Sequence, residues 1–532
     1  MSGSSARTRT PARRVPFPLY EDRVESMASS TSSASTTSFL PSNHFLAQRP
    51  ISPDHHASEQ SRTWDDSGVP DTSSLAAADF DVSVETGFLP PEEPVQSIEY
   101  LGNGWNEMEE CLRQAGKEVD GISGGGVGKM SQHFRDSVKN LPRVDTSSLT
   151  TLPLLRRAHT LLAHLTHYYM HSSFPSQTIV PASLSIPLVY TSEKLGIPPI
   201  LTYADTVLWV WKLVDPTKPL RADNVDISTN FTHSPSERAF FILSLFCELH
   251  GPSILRLMSS TLDETFFSDR VALLRIASYL ESISLLIDEL KILMRDAVKG
   301  EFGPTTNRHS IVPSTFYWEI RPWFNGGKWV YEGVGNDGQD VEMEWGGPSA
   351  GQSSLVHAID LFLGVDHAPR TTTGGGGSGL SDSTFMQRMS AYMPHHHRSF
   401  LQHLVSIHSS SPTSLPTSSP SLPTLRSLAL LHPTELQLSY DRAVLSMKQF
   451  RDTHIILATH FIVSQARHSP SPDSVHFAEW ETKRLAKEQA EVVRKREGKE
   501  REKEVVVGTG GTDLSSFLKL CRDRTKEALL NQ

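Results

Sequence analysis

Apolar residues recur three and four positions apart and hardly ever alternate with polar ones, which limits this chain to a helical fold. Leu273, Ile276, Ala277, Leu280, Ile283, Ile287 and Leu290 mark one helical face, with Ser268 as the expected N-cap and Asp269 in the first turn. Thr434, after Pro433, is placed to cap a longer helix running to about Ala466. Its apolar stripe is Tyr440, Ala443, Met447, Phe450, Leu457, Ala458 and Phe461. Shorter helical patterns fall at 105–115, 237–249 and 353–363. A helix over 152–171 carries His159, His164, His167 and His171; spacings of 5, 3 and 4 and the lack of an accompanying acid make them surface and core histidines rather than metal ligands. The expected class is all-α.

Composition then divides the 532 residues into body and additions. The first 80 residues hold 24 Ser or Thr without apolar period, so residues 1–78 read as a disordered extension. Further disordered inserts are expected at about 367–382 (around Thr371-Thr372-Thr373-Gly374), 408–424 (Ser/Pro-rich) and 469–507. The last holds 16 charges within 481–504, the mark of a solvated helix or a loop. The remainder reads as a small helical domain over 79–232 and a large helical bundle over 233–532. A net charge of −10 argues against a nucleic-acid partner. Three scattered cysteines exclude a disulfide scaffold, a thiolate zinc site and a CxxCH haem attachment. No apolar run reaches the ~20 residues of a membrane span. Pro11, Pro16 and Pro18 break the helix that the arginine-rich start would need as a transit peptide, so the cytoplasm is the expected compartment.

Three segments have the residue types for chemistry. His454 shares the long helix's apolar stripe, with Arg451 one turn earlier. On residues alone it is either a core histidine bonded to a backbone carbonyl, the commoner case, or an axial ligand for haem iron with Arg451 near a propionate. Residues 316–327, Phe-Tyr-Trp-Glu-Ile-Arg-Pro-Trp-Phe-Asn-Gly-Gly, surround Arg321 with aromatic rings. They form either a pocket with a carboxylate clamp or an ordinary aromatic cluster. Residues 346–354, Gly-Gly-Pro-Ser-Ala-Gly-Gln-Ser-Ser, let backbone approach a flat ligand just before a helix, or simply cap it; they match neither a P-loop nor a nucleophile elbow.

In chain order, these segments resemble the indoleamine 2,3-dioxygenase family of haem enzymes. Pro198-Pro199-Ile200-Leu201-Thr202-Tyr203-Ala204-Asp205, Ala239-Phe240-Phe241-Ile242-Leu243-Ser244, Tyr392-Met393-Pro394, His397-Arg398 and Gly508-Thr509-Gly510-Gly511-Thr512-Asp513 complete the resemblance. It runs from about Phe80 to the C-terminus, and the extension and inserts are similar to those of fungal members. The resemblance implies haem b, active as ferrous iron, and insertion of both atoms of O₂ across the indole C2–C3 bond of tryptophan to give N-formylkynurenine, the first step of the kynurenine route to NAD. It implies His454 as the axial ligand, with Arg451, Asp360 and Ser349 on the haem. Arg321 would bind the substrate carboxylate and Thr509 would close over it. Tyr203, Val207, Phe240, Ser244, Phe316, Tyr317 and Ala350 would line the distal pocket. No residue is expected to act as a general acid or base. The implied partners are L-tryptophan or a related indoleamine, O₂ and a reductant, with no nucleic acid or membrane, and a monomer is expected. Thr206 and Tyr317 depart from better-known members, which have a small thiol and a second Phe there. A haem-binding sensor with little turnover is the alternative from another class; the carboxylate clamp favours the enzyme.

Overall fold

The computed structural model describes residues 75–122, 126–267, 269–367, 385–408, 423–497 and 514–531. Residues 1–74 of the extension, Ser268, Thr509 with its glycine-rich hinge, the glycine-rich insert and the Ser/Pro-rich insert lie outside them. The early helices are α1 (Trp105–Asp120), α2 (Gln132–Lys139), α3 (Leu152–Met170) and α4 (Ala182–Leu195). The bundle continues with α5 (Pro235–Glu248), α6 (Gly251–Thr265), α7 (Arg270–Lys299), the single turn α8 (Pro313–Thr315) and α9 (Ser354–Leu363). It ends with α10 (Phe385–Ser390), α11 (His395–Ser406), α12 (Leu425–Leu431), α13 (Pro433–Ala458), α14 (Phe477–Glu497) and α15 (Leu514–Glu527). Short strands β1 (Ile179–Val180), β4 (Gly327–Tyr331) and β5 (Val341–Trp345) make a three-stranded sheet in the order β1-β4-β5. Strands β2 (Trp211–Leu213) and β3 (Val225–Ile227) pair antiparallel. The all-helical class holds; the strands are too short to show a period in sequence.

Several details depart from expectation. Asp269, not a first-turn residue, caps α7: its Oδ1 accepts from the Ala272 N–H at 2.8 Å. On α13, Pro433 occupies the first turn and His432, not Thr434, is the N-cap residue. The helix changes to a π-turn at Thr459–Val463 and a 3₁₀ turn at Gln465–Arg467 instead of running on to Ala466. Packing begins before Phe80, because Leu75, Ala76 and Ala77 are buried. Part of the charged insert is the helix α14. One stretch, Pro235–Thr265, does have the length and mean hydropathy (1.3) of a membrane span. It is the two helices α5 and α6, and 56% of its most apolar window is buried inside the protein.

Helix α3 is enclosed on nearly every side, so its histidines are all core residues and none lies on the surface. Each has at least one ring nitrogen in a hydrogen bond, as burial favours. His164 Nδ1 pairs with the Thr160 carbonyl at 2.7 Å, His167 Nδ1 with the Trp323 carbonyl at 2.7 Å and His171 Nε2 with the Asn325 carbonyl at 2.9 Å. An acid does accompany His159, from a distant segment: Nδ1 pairs with Asp205 Oδ1 at 2.8 Å and Nε2 with Ser192 Oγ at 3.1 Å. Asp205 also accepts from the Thr202 N–H (2.9 Å) and hydroxyl (2.7 Å), which fixes the 202–205 turn against α3. Two hydrophobic clusters result. The first joins α1, α3 and α4 to residues from Phe302 to Tyr331, and so reaches past residue 232. The second joins α6, α7, α9, α11 and α13.

Candidate functional site

A cavity of about 250 Å³ opens where the two clusters meet. Helix α5 contributes Phe240, Phe241, Ser244 and Cys247; the spacing of four puts Phe240 and Ser244 on one face. The 203–207 segment supplies Tyr203, Thr206 and Val207. Phe316, Arg321 and Phe324 come from the turns after α8, and Ser349, Ala350, Gly351 and Ser353 from the loop into α9. Helix α13 presents Phe450, Arg451, His454 and Leu457, and α15 closes the remaining side with Leu514, Phe517, Leu518 and Cys521. All three π-turns among the described residues, Ala204–Leu208, Phe316–Ile320 and Thr459–Val463, place side chains on this wall. A π-turn inserts one residue into a helix and re-aims those after it, which is why such turns cluster at functional sites.

His454 is the only histidine among the described lining residues. Unlike the α3 histidines, it makes no hydrogen bond to any described residue. Burial, then the Arg451 charge, pushes its pKa down to about 4, so the ring is neutral with a lone pair available. The core-histidine reading required a backbone carbonyl partner, and the structure provides none. A bare neutral imidazole in an aromatic and aliphatic cavity fits an iron porphyrin, which needs one soft-to-borderline nitrogen ligand and apolar faces.

Behind His454, Arg451 Nη2 meets Asp360 Oδ2 at 2.5 Å and Nη1 meets the Thr525 hydroxyl of α15 at 2.5 Å. His367 Nε2 lies 2.9 Å from the same Asp360 oxygen. Burial raises the Asp360 pKa, but Arg451 and His367 outweigh it and hold the carboxyl at about 2. Arg451 therefore lines the cavity as part of a buried ion pair. Arg321 lies with its guanidinium carbon 5.5 Å from the Tyr317 ring centroid, and burial lowers its pKa.

Of the residues singled out from sequence, His454, Arg451, Ser349, Arg321, Phe316, Phe240, Ser244, Tyr203, Val207 and Ala350 line this one cavity. Tyr317 does not line it and instead stacks beneath Arg321; Asp360 sits behind Arg451. Thr509 lies outside the described residues. Sequence reasoning missed Glu248 and Gln352, both buried. Glu248 Oε1 accepts from the Tyr203 hydroxyl at 2.9 Å and the Ser353 hydroxyl at 2.7 Å. Gln352 accepts from the Tyr203 N–H at 2.8 Å and donates to the Gly347 carbonyl at 2.9 Å. The signal was present: Glu248 stands four residues after Ser244 on the pocket-facing side of α5.

Comparison with known proteins bears on what this cavity holds. The family model described as indoleamine 2,3-dioxygenase matches residues 76–528. The chain is similar to indoleamine 2,3-dioxygenase 1 of Rattus norvegicus, 29% identical over 409 residues that cover 75% of this chain and 85% of the relative. It is 27% identical to indoleamine 2,3-dioxygenase acdA of Aspergillus candidus over 474 residues, covering 86% and 98%. It is 26% identical to 6-hydroxytryptophan 2,3-dioxygenase fscD of Fusarium equiseti over 459 residues, covering 85% and 97%. With the match spanning both hydrophobic clusters and every described wall of the cavity, the chain belongs to the indoleamine 2,3-dioxygenase family, whose members are haem-iron dioxygenases of tryptophan catabolism.

Proposed function

We propose that the protein is a haem-dependent dioxygenase that adds both atoms of O₂ across the indole C2–C3 bond of tryptophan, or of a ring-substituted tryptophan, to give the N-formylkynurenine product. The observation that carries this reading is His454, a neutral imidazole without a hydrogen bond among the described residues, on the wall of an apolar cavity that also holds Arg321. Bound haem would supply the iron at which O₂ is activated. His454 would hold that iron, and the Arg451–Asp360 pair would keep the α13 wall in place beside it. Arg321 would take the substrate carboxylate through two parallel N–H bonds, and the Tyr317 ring would keep the guanidinium plane in place. Phe240 and Phe316, in contact with ring centroids 4.5 Å apart, would form one continuous aromatic wall against which the indole packs and from which water is excluded. The lining among the described residues offers no ionised carboxylate or second histidine, which suits a reaction that needs orientation rather than proton transfer. The relative named for 6-hydroxytryptophan supports keeping ring-substituted substrates in the proposal.

The test is an absorbance spectrum of the haem-reconstituted protein, reduced and then exposed to air with L-tryptophan. A Soret band with accumulating N-formylkynurenine is expected. His454→Ala should lose the Soret band, and a normal band in that variant would remove His454 from the iron. A Soret band without product from any tryptophan would sink the dioxygenase reading.

A further inference from the structure

We propose that Glu248 is a positioning residue of the cavity: its carboxyl ties Tyr203 on one wall to Ser353 on another and so sets the width of the space that receives the indole ring. The proposal deepens the tryptophan reading and rests on it for the identity of the ring.

The geometry is a cross-brace. Tyr203 belongs to the segment before the π-turn, Ser353 to the loop into α9 and Glu248 to the last residue of α5. These three walls are far apart in the chain, and the described residues that line the cavity near them meet through polar contacts. Glu248 Oε1 receives both hydroxyls, while Gln352 makes a second tie between the same walls through the Tyr203 N–H and the Gly347 carbonyl. All four residues are buried, Glu248 at 1% exposure, so water does not compete for these bonds. Phe240, Ser244 and Glu248 recur every four residues on α5. The brace therefore acts on the same helix face that presents the aromatic wall.

The other Glu248 oxygen, Oε2, is buried and has no hydrogen-bond partner among the described residues. An ionised carboxylate there would leave charge in an apolar site, and burial accordingly pushes the Glu248 pKa up to about 7 against the pull of the Ser353 and Tyr203 hydroxyls. The titratable groups that face it are the Tyr203 phenol, raised well above 10, and the Cys247 thiol, raised to about 12 by burial. Neither loses its proton before Glu248 does. Below pH 7 the brace is a neutral acid; above it, Oε2 carries charge and draws water toward the cavity floor. The native state binds the proton more tightly than the unfolded chain, so this group's contribution to stability is fully present below the ordinary carboxylate range and is lost as pH rises through about 7.

The test compares haem-loaded wild type, Glu248→Gln and Glu248→Leu. Glutamine keeps the oxygen that accepts both hydroxyls; leucine removes it. Glu248→Leu should load haem normally yet raise the KM for L-tryptophan about tenfold with kcat changed far less, the size expected when a buried hydroxyl loses its acceptor. Glu248→Gln should keep the wild-type KM and lack the rise in KM expected of wild type as pH passes 7. Amide hydrogen exchange should quicken in residues 201–208 and 347–354 of Glu248→Leu and not of Glu248→Gln. Should Glu248→Leu fail to fold, Tyr203→Phe breaks the same bond from the other side and should quicken the same exchange. Equal losses in the glutamine and leucine variants, or unchanged exchange in both segments, would overturn the proposal. If wild type turns over no tryptophan, the reaction reading fails, while the exchange contrast still decides the role of Glu248.

Discussion

At the scale of single residues, what separates His454 from the histidines of α3 is a missing bond. His164, His167 and His171 each spend a ring nitrogen on a carbonyl, whereas His454 keeps both free and faces a cavity. Sequence could place His454 on the apolar stripe, but a stripe does not say whether a carbonyl lies within reach, so on the residues alone the core-histidine reading was the commoner case. Arg321 is the converse: its aromatic neighbours were visible in sequence, and the structure sorts them. Phe316 and Phe324 line the cavity, while Tyr317 lies under the guanidinium. Arg321→Ala should therefore leave the haem spectrum unchanged and raise the KM for L-tryptophan by about tenfold to a hundredfold, as expected for loss of a charge-assisted pair. Wild-type saturation by tryptophan in that variant would exclude Arg321 from carboxylate binding.

At the scale of elements, periodicity located the helices well and their ends poorly. The α7 stripe was legible because apolar residues three and four apart carry the signal. The end of α13 was not, since a π-turn adds one residue without breaking the run of helix formers; Thr459–Val463 reads as more helix. The caps at Asp269 and His432 depended on side-chain geometry and on a proline in the first turn, which neighbouring polar residues mimic in sequence. Helix α15 illustrates how an element acts on the site: it lines one side of the cavity and its Thr525 hydroxyl accepts from buried Arg451. Thr525→Val keeps the shape and removes the acceptor. It should lower stability by about 1–3 kcal/mol, the cost of a buried donor left unpaired. An unchanged urea midpoint in that variant would show that Arg451 does not depend on α15.

At the scale of the whole molecule, the cavity lies where two hydrophobic clusters meet, with Tyr203, Phe241 and Phe316 in the first and Cys247, Val356 and Phe450 packed against the second. The all-α class was legible, but the division of the core was not. Trp323 and Tyr331 join the first cluster through contacts with Tyr168 and Phe231 and through the β1–β4 pairing, and such long-range pairing leaves no local pattern. A ligand bound at such a junction holds both clusters together and should stabilise the fold as a unit. Haem at about 100 times its dissociation constant should add about 2.7 kcal/mol to the unfolding free energy. The thermal midpoint should rise with haem in wild type and not in His454→Ala; an equal rise in both would place haem elsewhere.

The order of the walls along the chain has a consequence for how the protein is made. Residues from α5, α9 and α13 emerge from the ribosome well before α15, which supplies the remaining side of the cavity and the hydroxyl that anchors Arg451. Until that late segment arrives, the nascent chain presents its aromatic floor to the cellular milieu as an open trough. Cofactor capture would then wait for α15, and the nascent chain would until then be a natural client for chaperones that shield apolar surface.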